Sequence, residues 1–352
     1  MNIPNYGRVG RGGKVGVPSE SYRYEFDPAD RPLILQVLGN KPEPVISLAT
    51  SPFLEGHIDG VDLNCGCPQQ FAMDKRVGAG ILRDPELLID LARQCACSIP
   101  YPLSVKMRLH EEGPQTTARI AEKLHTHSGV KAVTVHGRYW WQKGVNRGQC
   151  DWKAIETVRK LTPASLFVIG NGDVASYADF ERYRVESGVD SVMAGYGALL
   201  DPTIFQENSI NLDQVISDYF EIAVRHKNSF MHILRHVHWM IKSRPYQDSS
   251  AVHARLFSYK TLEQIQTLLR DELDIHVRLP CVPQGESRII YPKGASDIVD
   301  PKKLKLYLAK EAKLERKKKK KKLHSNRLPN CEQPEPLDWL DEWMTPIEKP
   351  ND

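Results

Sequence analysis

The sequence predicts an α/β protein: a (β/α)8 TIM-type barrel with six of its eight βα units, lacking the first two, followed by a small helical domain. Three observations lead there. Short aliphatic or β-branched runs alternate with amphipathic stretches six times between residues 31 and 208, the pattern of parallel βαβ units. Polar residues gather at the ends of those runs, namely Asn64, Cys67, Lys106, Arg108, His136, Arg138, Asn171 and Asp173, where a barrel collects its functional groups. No glycine-rich phosphate turn with a trailing acidic residue follows the first run, as a doubly wound sheet would require.

The elements justify themselves in order. Residues 1–30 are rich in Gly, Pro and polar residues and read as disordered. The predicted strands are 32–39, 60–66, 103–109, 132–138, 166–173 and 191–197. The clearest helix is DPELLIDLARQCACS, residues 84–98. Asp84 can cap it, Pro85 suits its first position, and Leu87, Leu88, Leu91 and Cys95 share a face. The thirty residues before the first strand cannot hold two further βα units, which leaves the expected barrel open on one side. After Pro202 the strand pattern stops. Stretches 212–244 and 249–273 have helical periodicity and define a domain over 209–280. Residues 281–352 read as a mostly disordered tail, with a short helix at 301–316.

Composition constrains the class. The 352-residue chain is 41% hydrophobic, enough for one large core and a smaller one, and its net charge is only +4. No apolar run approaches the ~18 residues of a membrane span, so no membrane partner is expected. The N-terminus has no apolar signal region. With seven cysteines, an odd number, reduced thiols and a cytoplasmic or nuclear location are expected. The unbroken basic run 316–322 fits a nuclear localisation signal, an electrostatic grip on nucleic acid, or a solvated stretch. The acidic, aromatic segment 335–344 fits a partner-binding motif or an unused end. The chain is read as a monomer.

The thiols admit two readings. Cys65-Gly-Cys67 and Cys95-Ala-Cys97 form two Cys-x-Cys pairs. Structural zinc prefers two to four residues between ligands, and Cys95 lies on an apolar helix face, so no metal is expected. The better reading is a single working thiol. Pro68 ends the strand and biases Cys67 toward extended backbone at the barrel mouth beside Asn64, with Cys65 one step deeper on the same side. His232 and His236, at helical spacing, lack a third ligand and read as structural.

The motifs VDLNCGCPQ, SVKMRL, TVHGR and VIGNGDV, in that order at barrel spacing, resemble the tRNA-dihydrouridine synthases over roughly residues 31–275. NCGCPQ followed by FAM is most similar to the eukaryotic tRNA-dihydrouridine(20a/20b) synthase subgroup. The resemblance implies FMN-dependent reduction of uridine to 5,6-dihydrouridine in the D-loop of tRNA, with NADPH as reductant and Cys67 as proton donor. A thiol of ordinary pKa, near ~8.5, is mostly protonated at neutral pH and suits that role. Gln36 matches a glutamine bonding the flavin ring, and Asn64 one that touches the uracil. Lys106 and His136 match contacts to the isoalloxazine and its negative end, where a cation offsets reduced flavin. Asn171, Gly172 and Asp173 match a loop around the ribityl chain and phosphate. Gly195 and Tyr196 match a backbone-amide phosphate cradle, though many relatives carry arginine where this chain has Tyr196. Arg108 and Arg138 are expected on the substrate side. The Ala-Pro-Met-type segment of the family's first strand has no counterpart here.

Two other classes stay open at this level: a catalytically inactive tRNA-binding relative, and another FMN barrel oxidoreductase acting on a small molecule. Retention of Cys67, Asn64, Lys106 and His136 disfavours the first, and the helical appendix disfavours the second.

Overall fold

The computed structural model describes residue 26 and residues 30–208, 210–226, 228–242 and 249–277. The expectations for residues 1–25, for the helix at 301–316, for the basic run 316–322 and for the tail 335–344 lie outside the described residues. The chain divides into two compact units, the first running to Val174 and including Ala178–Ala194, the second holding Ala175–Tyr177 and the residues from Gly195.

In the first unit the aliphatic runs become six strands: β1 (Ile34–Val37), β2 (Gly60–Cys65), β3 (Leu103–Arg108), β4 (Ala132–His136), β5 (Phe167–Asn171) and β6 (Ser191–Met193). All neighbouring pairs are parallel, and the spatial order follows the sequence. That order has no reversal point, which separates the sheet from doubly wound folds. The connections carry α1 (Pro42–Ala49), α2 (Gln70–Asp74), α3 (Pro85–Ser98), α4 (Pro114–Ser128), α5 (Trp152–Leu161) and α6 (Tyr177–Ser187). Helix α3 starts where the sequence places it, with the Asp84 carboxylate accepting from Leu87 N and Pro85 in the first turn.

Strand alternation sorts the side chains by face. Leu63, Val105, Val133 and Val168 lie in one register row, and Cys65, Met107, Val135 and Gly170 in another. All of these but Gly170 join the core with Leu88, Leu91, Cys95 and Leu124 of α3 and α4. The opposite face carries Gln36, Asp62 and Ser104 in one row, Asn64, Lys106 and Thr134 in the next, and Arg108, His136 and Asn171 in the last. One face therefore holds the helical layer and the other holds the polar groups.

The second unit contains α7 (Tyr196–Leu200), α8 (Leu212–Arg225), α9 (Phe230–Lys242), α10 (Ser249–Ser258) and α11 (Leu262–Leu273). Ile216, Phe220, Ile233, Val237, Leu256 and Leu269 make its core. The single periodic stretch 212–244 resolves into two helices. Helix α8 ends at His226, and Ser229 starts α9 by accepting from His232 N. Helix α11 opens on a reciprocal capping box between Thr261 and Gln264. Among the described residues no helix is long and apolar enough to cross a membrane.

Gly170 tests the packing of α6 on β5. A Cβ there would lie 2.2 Å from Cε1 of the fully buried Tyr183. Gly170→Ala is expected to cost roughly 1–3 kcal/mol through overpacking, seen as a lowered urea midpoint with an unchanged slope.

Candidate active site at the strand ends

The polar face is a set of linked hydrogen-bond chains, because buried polar groups must find partners. The first begins at Asp62, which is 7% exposed. Its carboxylate accepts from Ser104 Oγ at 2.7 Å and from Gln36 Nε2 at 2.8 Å. Gln36 Oε1 in turn accepts from Asn64 Nδ2 at 2.9 Å. Asn64 Oδ1 then accepts from the backbone N–H groups of Gly66 and Cys67, both at 3.1 Å. The chain runs across three strands and ends on the backbone of the cysteine. Burial pushes the Asp62 carboxyl upward, against the pull of its two hydrogen bonds and Lys106.

Cys67 lies past the end of β2, buried against Ala72, Val77 and Phe71. Its carbonyl accepts from Ala79 N at 2.9 Å. Gly78, at φ +56°, permits that close approach, since a Cβ there would sit 2.7 Å from the Cys67 carbonyl oxygen. The two thiols of NCGCP therefore separate. Cys65 is in the core on the helical face, where burial and Asp62 raise its pKa strongly. The expectation that both thiols share one side of an extended strand fails, because the strand ends at Cys65 and Asn64 folds the next residues into a turn. Cys95 lies in the same core as Cys65, and among the described residues no cluster of three His, Cys, Asp or Glu is placed to hold a metal.

The second chain holds the charge. Lys106 Nζ donates to Asn171 Oδ1 at 2.9 Å, and Asn171 Nδ2 donates to Met193 O at 2.8 Å. Burial and the neighbouring Arg108 bring the Lys106 pKa down to about 8, with Asp62 opposing. Arg108, 8% exposed, donates through Nε to Gly66 O and through one terminal nitrogen to Tyr139 O and Gln142 O. Burial and Arg138 lower its pKa to about 10, while Cys67 and Cys150 act in the other direction.

The third chain braces the loop after β4. Arg138, only 2% exposed, ion-pairs with Asp173 at 2.5 Å. Its other nitrogens reach Arg147 O, Gly148 O and His136 Nε2. Asp173 also accepts from Cys150 N at 2.6 Å. The turn that presents it needs two left-handed residues, Gly172 at φ +118° and Asp173 at φ +55°. A Cβ on Gly172 would lie 2.6 Å from Cys150 Sγ.

Two expectations change here. Arg138, expected toward substrate, is instead committed to Asp173 and to loop carbonyls. His136 is not a cation. Burial and the guanidinium and ammonium groups of Arg108, Lys106, Arg138 and Arg147 hold its pKa well below 6.5. A neutral ring that accepts from Arg138 at Nε2 carries its proton on Nδ1. The positive charge around His136 comes from Lys106 and the neighbouring arginines, not from the imidazole.

The first unit thus brings together Gln36, Asn64, Cys67, Lys106, Arg108, His136, Arg138, Asn171, Gly172 and Asp173. Gly195 and Tyr196 belong to the second unit, where Gly195 precedes α7 and the Tyr196 ring meets Trp239 edge-on at 5.9 Å. Asp62 and Ser104 were missed by the sequence reading. A signal was present, since Asp62 is an acidic residue inside an otherwise aliphatic strand and two residues from Asn64 on the same face.

Comparison with known proteins gives the family. The dihydrouridine synthase (Dus) family matches residues 17–274. A tRNA-dihydrouridine(16/17) synthase-like protein of Rattus norvegicus is 31% identical over 257 residues, covering 72% of this chain and 57% of that protein. A tRNA-dihydrouridine(16/17) synthase of Schizosaccharomyces pombe is 29% identical, covering 82% and 72%. A tRNA-dihydrouridine(20a/20b) synthase-like protein of Mus musculus is 28% identical, covering 64% and 68%. The chain spans about half the length of several curated relatives it matches, 57%, 53% and 47% for the rat, mouse and Saccharomyces cerevisiae 16/17 proteins. The chain belongs to the dihydrouridine synthase family.

Proposed function

We propose that this protein reduces uridine to 5,6-dihydrouridine in the D-loop of tRNA, with bound FMN, NADPH as reductant, and Cys67 as proton donor. The observation that carries the reading is the hydrogen-bond chain from Asp62 through Gln36 and Asn64 to the backbone of Cys67, beside the buried ammonium of Lys106. A chain that only binds tRNA has no use for a thiol anchored this way.

The donor set fits a flavin ring. Gln36 keeps one amide N–H beyond its bond to Asp62, His136 offers Nδ1–H, and Lys106 supplies a cation in a desolvated place. Such a set stabilises negative charge on a reduced isoalloxazine. Bound FMN would supply the hydride, taken from NADPH and delivered to C6 of the uracil. Asn64 orients the Cys67 turn and lies beside the base. The Cys67 S–H bond breaks as the new C5–H bond forms, so hydride and proton saturate the 5,6 bond. Arg108, whose charge couples to Cys67, offsets the thiolate until water reprotonates it.

In this reading the six strands are the later strands of a (β/α)8 barrel carrying the flavin over residues 31–208, and residues 209–280 face the tRNA. Relatives named for positions 16/17 and for 20a/20b match at similar identity, 31% and 28%, so the D-loop position is a question for tRNA mapping.

Cys67→Ala is expected to lower dihydrouridine formation by about 10²-fold or more, the usual worth of a general acid, while tRNA affinity stays within twofold. Cys65→Ala is expected to leave both unchanged. Nucleoside mass spectrometry and tRNA binding read the two effects, and equal losses in both variants would overturn the assignment.

Lys106 makes a pH prediction. Its folded pKa of about 8 lies below the ordinary 10.5, so the cost of burying the ammonium is fully present below pH 8. That cost fades as pH rises toward 10.5. Stability therefore rises across this window as the useful charge is lost. NADPH-driven bleaching of the flavin is expected to slow as pH rises through about 8, and Lys106→Arg should move the decline upward. A flat profile in both proteins would count against the role.

Asp62→Asn keeps the size but removes one acceptor. It is expected to weaken FMN binding by roughly 1–2 kcal/mol through loss of one charge-assisted hydrogen bond. Titration of FMN fluorescence measures it.

A further inference from the structure

The loop after β4 reads Arg138-Tyr-Trp-Trp-Gln-Lys-Gly144, and its aromatic residues have no part in the chemistry above. Trp141 is 45% exposed. One face of its indole is covered by Tyr139, stacked at 4.7 Å with an interplanar angle of 4°. Trp140 stands nearly perpendicular to it, with ring centroids 5.7 Å apart and an interplanar angle of 87°. Trp140 is itself fixed, with the Arg83 guanidinium 4.9 Å over its ring and its Nε1 donating to Glu111 Oε2 at 3.4 Å. With Tyr139 stacked on one face and nearly half of the residue's surface in solvent, Trp141 offers aromatic surface outward.

The position of this loop is tied to Cys67 from both sides. Arg108 Nε holds the carbonyl of Gly66, the residue before Cys67, and the same guanidinium holds the carbonyls of Tyr139 and Gln142. Lys143 Nζ holds the carbonyl of Pro68, the residue after Cys67, at 3.1 Å. The segments flanking the thiol and the segments flanking Trp141 therefore form one hydrogen-bonded block.

We propose that the exposed aromatic surface of Trp141 is a stacking platform for an unpaired tRNA base neighbouring the uridine presented to Cys67. The proposal rests on the functional reading above and adds the element that holds the flanking nucleotide. Aromatic faces interleaved with cations, here Tyr139, Trp140 and Trp141 with Arg83 and Lys143, are how proteins grip single-stranded nucleic acid. A dry protein interface fits less well, because the charged Arg83 and Glu111 side chains contact the Trp140 ring. Bracing by Tyr139 and Trp140 leaves little rotamer freedom to lose when a base stacks.

The test uses the full chain, Trp141→Ala and Trp141→Phe, with an unmodified in vitro transcript of tRNA as the probe. Affinity is measured at two salt concentrations, alongside KM for tRNA and for NADPH. Trp141→Ala is expected to lose about tenfold in tRNA affinity, the scale of one stacked base. The salt slope should not change, because no phosphate contact is removed, and Trp141→Phe should recover most of the loss. FMN content and flavin bleaching by NADPH should match the parent. Unchanged tRNA affinity and KM in Trp141→Ala, with a parent chain that does reduce tRNA, overturns the platform alone. A raised KM for NADPH with unchanged tRNA affinity also overturns it, by placing the nicotinamide cofactor on the ring. A parent chain that neither binds nor reduces tRNA removes the functional reading and the platform with it.

Discussion

The buried carboxylate of Asp62 is the constraint on which the site's geometry depends. A carboxylate taken out of water on a parallel sheet must be fully bonded or must lose its charge. Asp62 meets this with Ser104 on one side and Gln36 on the other. Gln36 is thereby fixed in its amide orientation, Asn64 in turn, and the Cys67 backbone last. One desolvated acid on the second strand thus sets the position of a thiol beyond that strand's end.

The charge balance of the polar face follows a similar logic. Lys106, Arg108 and Arg138 share this part of the molecule with Asp62 and Asp173. Burial, and after it the mutual repulsion of crowded cations, lets Lys106 and Arg108 release protons more readily and keeps His136 neutral. An anionic ligand relieves that repulsion, and in the proposed reaction reduced flavin is such a ligand. Arg138 has a different part. A buried guanidinium and carboxylate contribute little net stability, yet breaking the pair leaves a charge stranded, so the pair specifies one loop arrangement. That arrangement carries the 139–143 segment and, through Arg108 and Lys143, the turns on either side of Cys67.

The sequence by itself determined the six strands and the α3 boundary, because alternation, β-branching, a capping aspartate and a helix-starting proline act on neighbours within a few residues. It also determined that the strand stops short of Pro68, which has no N–H to give to the ladder. Tertiary structure decided the partners. Gln36 and Asp62 are 26 residues apart, and Arg138 and Asp173 are 35 apart. No local pattern says that Arg138 would be consumed by a brace or that Asp62 anchors the network. The protonation of His136 and the lowered pKa of Lys106 were likewise settled by packing. Each depends on burial and on charges brought close by the fold, and these quantities come into being only when the strands pair.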